Sequence, residues 1–326
     1  MHHGRISTNI AKGLKVLRQR ITAAKIPSSS LDETLNLATW NIRDFGKKKR
    51  KKAAIHLIAE IMGQFDLISV VELRDNVGDL QRVLKILGPY WHVVYSDYGT
   101  DAAANRERIA YVYDKRAVAF TGLAAEADPI RKKMKVIRDG QEVWEYLPKI
   151  TWWRSPFMAS FRAGDFDFIV ITAHIRWDSS GTEASRERAL QELANWVYKR
   201  SREKHIVDKD IILMGDFNIP KVGDKLFKAI TSKGLRVPAA LVGWGGTNLS
   251  RAAHYDQILH YPQYTKSFTK HAGVLDFYKG DHKPLLPGIR LDKTKFTYQL
   301  SDHLPLWAQL DTDIDDERLD QILNRD

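Results

Sequence analysis

Six short polar signatures stand at or just past the ends of apolar, strand-like runs. They are Trp40-Asn41-Ile42-Arg43, Val71-Glu72, Thr172-Ala173-His174, Gly215-Asp216-Phe217-Asn218, Tyr255-Asp256-Gln257-Ile258 and Ser301-Asp302-His303. A carboxylate or imidazole directly after a buried strand is costly unless something uses it. Spread from residue 40 to residue 303, these places point to one cleft assembled from many strand ends. Its contents are carboxylates, amides and two histidines, with no thiol and no obvious nucleophile. That mixture fits hydrolysis assisted by a hard metal ion. Glu72 and Asp302 are oxygen ligands of the kind magnesium takes together with waters and a substrate phosphate. The chain has no His-Glu-x-x-His run and no cysteine, so it lacks the usual zinc ligand patterns. Gly215 permits a sharp exit from its strand. Asp216 can accept a proton or orient a water, and Asn218 can hold a phosphoryl oxygen without adding charge. His174 and His303, given carboxylate partners, could move protons near neutral pH. Ser301-Asp302-His303 contains the residue types of an acyl-transfer triad. Adjacent residues on an extended segment face alternate sides, however. No Gly-x-Ser-x-Gly elbow occurs either, so acyl transfer is set aside.

The elements that must carry these groups alternate along the chain. Strands are expected at 35–40, 66–71, 91–95, 109–113, 165–173, 210–214, 255–259 and 304–310, and helices at 51–63, 78–87 and 184–202. Two runs of strands with helices outside them imply an α/β (α+β) fold: a four-layered sandwich of two packed mixed β-sheets flanked by helices. Residues 122–150 interrupt the pattern, and Asp139-Gly140 between strand-like flanks signals a hairpin there. Residues 1–30 read as a basic helical extension and linker. Ile10, Leu14, Leu17, Ile21 and Ala24 lie at helical spacing, and Pro27-Ser28-Ser29-Ser30 closes the segment. Packing of this helix on the body is favoured over a basic arm touching DNA, a membrane surface or a partner. Residues 31–311 form the catalytic body, and 312–326 an acidic, helix-compatible tail.

Composition narrows the partners. The 326 residues are 44% hydrophobic, enough for a substantial core. The formal net charge of +11 raises the local concentration of polyanions, nucleic acid first and anionic membrane second. The absence of cysteine, of a secretory signal and of any membrane-spanning apolar run leads to the expectation of a cytoplasmic protein, non-standard export aside.

Taken in order, WNIRDFG, VVELRD, RERIAYVYD, WWRSPF, ITAHIRW, LMGDFN, TNLSRAAHYDQIL and LSDHLPL resemble the endonuclease/exonuclease/phosphatase superfamily. The likeness is to its DNase I-like, pancreatic-type deoxyribonuclease branch and runs from about Leu35 to Leu310. It implies a cleft at one edge of the two central sheets. Glu72 would be the main Mg²⁺ ligand (Mn²⁺ or Ca²⁺ as substitutes), with Asn41 in the metal site and Asp302 a second ligand or a carboxylate beside it. Asp216 and Asn218 would position the water and the scissile phosphate. His174 would pair with Glu107, and His303 with Asp256. Arg154 falls at a phosphate-binding arginine, Arg43 near the phosphate backbone and Arg74 at a minor-groove arginine. Lys47 and Lys48, in the basic run Lys47–Lys52, would grip DNA phosphates. Asn105 replaces the family's groove-stacking tyrosine. His174 stands where apurinic-site nucleases carry Tyr, which argues against that branch, whereas sphingomyelin phosphodiesterases share the His. The expected function is therefore a Mg²⁺-dependent endonuclease cleaving DNA with low sequence specificity. The alternatives are a lipid or inositol-phosphate phosphodiesterase or phosphatase, sphingomyelinase-like, or a ribonuclease on the same scaffold.

Overall fold

The computed structural model describes residues 1–99, 105–148, 152–176 and 183–315, together with 319 and 323. Two sheets pack face to face. The first runs in the order β12 (Phe268–Val274), β13 (Leu306–Asp311), β1 (Thr34–Phe45), β2 (Leu67–Arg74), β4 (Glu107–Asp114), β3 (Trp91–Tyr95). The second runs β11 (Asp256–His260), β10 (Ile211–Asp216), β9 (Phe166–His174), β8 (Phe157–Ala163), β5 (Ala119–Glu126). Each sheet has one parallel pair at its centre, β1 with β2 and β9 with β10, and its other pairings are antiparallel. Strands covered on both faces need continuous apolar runs rather than alternation. Leu67-Ile68-Ser69-Val70-Val71 and Ile211-Ile212-Leu213-Met214 have that character, and each of these residues is buried. Several polar atoms at the seam between the sheets are paired. Ser69 Oγ and Thr172 Oγ lie 2.8 Å apart, and the Tyr111 hydroxyl donates to the carbonyls of Phe157 and Val170.

Helices complete the outer layers. α1 (Thr8–Ala23), α2 (Lys52–Met62) and α3 (Gly78–Leu87) share one hydrophobic core with the first sheet. α4 (Glu183–Ser201) and α5 (Lys225–Thr231) bury Leu190, Leu193, Val197, Leu226 and Ile230 against the outer face of the second. The short α6 (Lys293–Thr297) lies beside the site entrance. The N-terminal helix packs on the body, the favoured of the two readings. Ser7 caps α1, and Ile10, Leu14, Leu17 and Ile21 are buried. Arg20 Nη1 donates to the carbonyls of Phe277, Tyr278 and Asp281, and Arg18 pairs with Glu60 at 2.6 Å.

The structure extends the expected first strand from residue 40 to Phe45. It also adds β5, β8, β12, α5 and α6, whose sequences are short or lack a clean period. The excursion expected from residue 122 starts only after Glu126, because residues 119–126 pair with β8 as an edge strand. Its hairpin is present as β6 (Arg131–Arg138) and β7 (Gln141–Pro148). Asp139 and Gly140, both at positive φ, form the two-residue turn that matches strand twist. Most of the acidic tail lies outside the described residues.

Candidate active site

The carboxyl ends of the two parallel pairs meet at one edge of the sandwich, the usual place for a ligand crevice in open α/β sheets. Asp216 closes β10 with His174 as its register partner on β9 and Asp256 on β11. The residue before it has to be glycine. Gly215 lies at φ +134°, and a Cβ there would sit 2.1 Å from the Ala173 carbonyl oxygen. Gly215→Ala should therefore cost about 3 kcal/mol, through overpacking against backbone that cannot yield. Chemical denaturation read by tryptophan fluorescence checks this. A wild-type midpoint would show that the neighbouring strand shifts freely.

Glu72 owes its position to an irregularity. The β1–β2 register shifts between Asn41 and Phe45, and the β2–β4 register shifts between Val70 and Leu73. Glu72 sits between these shifts at φ +61°, in the left-handed region that non-glycine residues avoid. A bulge of this kind re-aims a side chain, at a cost of about 1–3 kcal/mol per strained residue. Asn218 (φ +51°) and Asp44 (φ +49°), also on the cleft wall, share the conformation. Glu72 is held by the Asp44 amide at 2.8 Å and by Asn41 Nδ2 at 2.9 Å. The same Asn41 nitrogen donates to Asp216 Oδ2 at 2.9 Å, so one buried amide joins the two sheets.

Two imidazoles flank Asp216. His174 Nδ1 lies 3.0 Å from Glu107 Oε2, and His303 Nδ1 lies 2.7 Å from Asp256 Oδ2. Their Nε2 atoms stand 3.6 Å and 3.8 Å from Asp216 Oδ2. Burial opposes charge on His303, but Asp256 and Asp216 outweigh it, and the ring is pushed up to about 10. It is therefore the imidazolium at neutral pH. Burial also works against the Glu107 carboxylate. The hydrogen bond and charge of His174, with Arg154 and Arg74, overcome this and lower it to about 2. Asp216 is raised, chiefly by burial and further by Asp256.

These groups line a cleft of about 490 Å³ that holds Glu72, Asp302, Glu107, Arg154, His174, Asp216, Asn218 and His303. Asp256 sits behind His303, and Asn41 lies beneath the floor. Asn218 donates from Nδ2 to the Ile175 carbonyl at 2.6 Å and from its amide to Asp216 Oδ1 at 2.9 Å.

Two groups of residues could hold a divalent ion. Asp216, Asp256 and His303 bring ligand atoms within 4.8 Å of one another, but all three are buried and the His303–Asp256 hydrogen bond occupies Nδ1. Glu72 and Asp302 are open to the cleft, with side chains 21% and 41% exposed. Beside Glu72 the Asn41 Oδ1 atom is buried without a hydrogen-bond partner. An orphaned hard oxygen next to a partly exposed carboxylate fits a cation that keeps some of its water.

The chain matches no family model. Deoxyribonuclease gamma of Rattus norvegicus is 27% identical over 195 residues, covering 57% of this chain and 56% of the relative. Deoxyribonuclease-1 of Sus scrofa is 27% identical over 193 residues, covering 57% and 60%. The chain thus aligns with little more than half the length of the curated relatives it matches. An endonuclease/exonuclease/phosphatase family protein from Bacteroides thetaiotaomicron superposes with a TM-score of 0.53 at 19% identity, covering 86% of this chain and 99% of that one. The chain is thus similar in sequence to two deoxyribonucleases over little more than half its length, and it shares the fold of the endonuclease/exonuclease/phosphatase family protein.

The basic residues expected at the site are placed as follows, with Arg43, Arg74 and Arg154 all lining the cleft. Arg74 lines the cleft with little of its surface free. It is 5% exposed and committed to Asp44, to the Asn105 carbonyl and to Glu107, because its strand end lies under the carboxylate cluster. Arg154 Nη2 holds Glu107 at 2.8 Å, while its Nη1 is buried without a partner. Arg43 pairs with Asp302 at 3.3 Å and stacks on Tyr298. Lys47 and Lys48 lie outside the cleft and line an adjoining hollow with Lys295 and Tyr298. Within the same basic run Arg50 is buried, donating to the carbonyls of Arg43 and Leu300.

Sequence reasoning missed Arg176, which stacks at 4.1 Å on Trp153, and Tyr255, whose ring lies 5.6 Å from His303. Both stand one or two residues from a flagged histidine or aspartate, and that proximity was the available signal. Ser301 has a structural part. Its hydroxyl donates to the Asn41 carbonyl at 2.6 Å and accepts from the His303 amide at 2.9 Å, fastening the loop of Asp302 and His303 to β1.

Proposed function

We propose that this chain is a Mg²⁺-dependent phosphodiesterase that cleaves DNA internally with little sequence preference. The observation that carries the reading is the pair of carboxylate-backed imidazoles presenting Nε2 on either side of Asp216, with Glu72 across Asn41. Hydrolysis of a diester needs a proton taken from water and an oxygen leaving group stabilised. His174, steadied by Glu107, takes the proton at Nε2, while Asp216 orients the water. His303, already charged, gives a proton from Nε2 to the leaving oxygen as the phosphorus–oxygen bond breaks. Arg154 and Asn218 steady the phosphoryl oxygens. A divalent cation held by Glu72, Asn41 and Asp302 would neutralise charge developing on the phosphate. The net charge of +11 supports a polyanionic substrate.

Plasmid, single-stranded DNA, RNA and sphingomyelin vesicles, each incubated with Mg²⁺ and then with EDTA, test the proposal. Nicking of supercoiled plasmid that EDTA abolishes and excess Mg²⁺ restores is the expected result. Faster turnover of RNA or sphingomyelin than of DNA would replace the substrate assignment.

A further inference from the structure

Among the described residues the ribbon formed by β6 and β7 is a sheet of its own. Its strands pair over eight residues, Arg131 with Pro148 through Arg138 with Gln141, and with no other strand among the described residues. Not one of these residues is buried. Trp144 is 58% and Tyr146 68% exposed. A lone two-stranded ribbon is marginally stable in water, so exposing large aromatics on one is costly unless they serve a contact.

One face of the ribbon has a definite chemistry. Direct cross-strand partners share a face, so Lys133 stands beside Tyr146 and Lys135 beside Trp144, with Arg131 on the same row. The Lys133 and Lys135 ammonium groups lie 5.6 Å and 5.7 Å from the Trp144 ring. Lys135 is paired with Glu142 and Arg131 with Asp128, whereas Lys133 has no acidic partner among the described residues. A basic row interleaved with flat aromatics is the surface that tracks phosphates and packs on sugars and bases. A two-stranded ribbon also has the width that a duplex major groove admits.

The root of the ribbon fixes which polyanion it would meet. At its base the Ala127 amide donates to the Pro156 carbonyl at 2.7 Å, and Trp196 Nε1 donates to the Asp128 carbonyl at 3.0 Å. The segment between the ribbon and β8 carries Trp153 and Arg154. Arg154 is the cleft residue that holds Glu107. With strands of about 26 Å, the ribbon springs from the lip of the cleft.

We infer that this ribbon is a second nucleic-acid contact, gripping duplex several base pairs from the scissile phosphate through Lys133, Trp144 and Tyr146. The inference rests on the nuclease reading for its choice of polyanion.

The test compares wild type with a Lys133→Glu/Trp144→Ser/Tyr146→Ser variant, and with Lys133→Glu alone in case the triple variant melts early. Binding of a 30-base-pair duplex is measured in EDTA by fluorescence anisotropy across salt concentrations. Cleavage of that duplex and of bis(p-nitrophenyl) phosphate is measured with Mg²⁺. The triple variant should bind duplex at least tenfold more weakly with a shallower salt dependence, and raise KM on duplex, while hydrolysing the small diester at the wild-type rate. Equal duplex binding by wild type and both variants overturns the inference. So does loss of small-diester turnover in step with duplex turnover, or ribbon-dependent capture of phosphatidylserine vesicles without duplex binding. A wild type that cuts no DNA yet binds duplex through the ribbon would sink the nuclease reading and leave the ribbon assignment standing.

Discussion

His303→Ala should lower kcat on plasmid DNA by about 10²–10⁴-fold, the range for loss of a positioned proton donor. KM should change little, since the proposed role sets the ring at the reacting atoms rather than along the bulk of the duplex. The cause is the Asp256–His303 pair. Its 2.7 Å hydrogen bond and the nearby Asp216 keep the ring charged against the cost of burial. The companion Asp256→Asn should reproduce part of the loss, because the amide still accepts a bond from Nδ1 but no longer favours the imidazolium. Single-turnover rates across pH 7–11 check both: the wild-type rate should fall as His303 loses its proton near the top of that range, and this fall should be absent in His303→Ala. A leaving group that needs no proton, p-nitrophenolate, should suffer less from His303→Ala than DNA does. Equal losses on both substrates would show that the ring orders the site instead of donating.

Glu72→Gln is expected to have the second-largest effect, a fall of about 10²–10³-fold in kcat at saturating Mg²⁺, comparable to removing one preorganised electrostatic group. The neutral amide keeps the size and shape but can accept only one of the two bonds from Asn41 Nδ2 and the Asp44 amide; the fold should persist at a modest cost of about 1 kcal/mol. What disappears is the negative charge that would hold a cation beside Asn41 Oδ1. The Mg²⁺ concentration needed for half-maximal activity should rise at least tenfold, and Mn²⁺ should rescue part of the rate. Isothermal titration of the metal and activity against free Mg²⁺ are the measurements. Wild-type metal dependence in Glu72→Gln together with its loss in Asp256→Asn would move the metal to the buried Asp216, Asp256 and His303 group.

Much of this site could be read from the chain because its parts stand at strand ends. Val71-Glu72 and Ala173-His174 announce themselves as polar residues closing apolar runs, and the structure brings them to one cleft. The pairing of each histidine with a distant carboxylate, 67 residues away for Glu107 and 47 for Asp256, came only from family likeness. Spacing along a chain holds no such information. The burial of two basic side chains was not legible in the sequence. Arg74 and Arg50 look like surface cations in sequence, but each is drawn inward by carbonyls and carboxylates that only the tertiary fold assembles. β5 and β8 were overlooked because Ala119–Glu126 is a mostly exposed edge and Phe157–Ala163 is too short for a reliable period. The helix α1 was legible in its spacing, but its attachment through Arg20 to three carbonyls near residue 280 was not.

The single amide of Asn41 spans Glu72 of one sheet and Asp216 of the other. His174 of the second sheet likewise leans on Glu107 of the first, and His303 beside β13 leans on Asp256 of β11. Slippage of one sheet past the other by as little as 1 Å would part each of these pairs, a misplacement worth about 10²-fold in rate for the proposed reaction. The proposed activity is therefore a gauge of how tightly the two sheets are seated, and it should fade under stress well before the chain loses its shape.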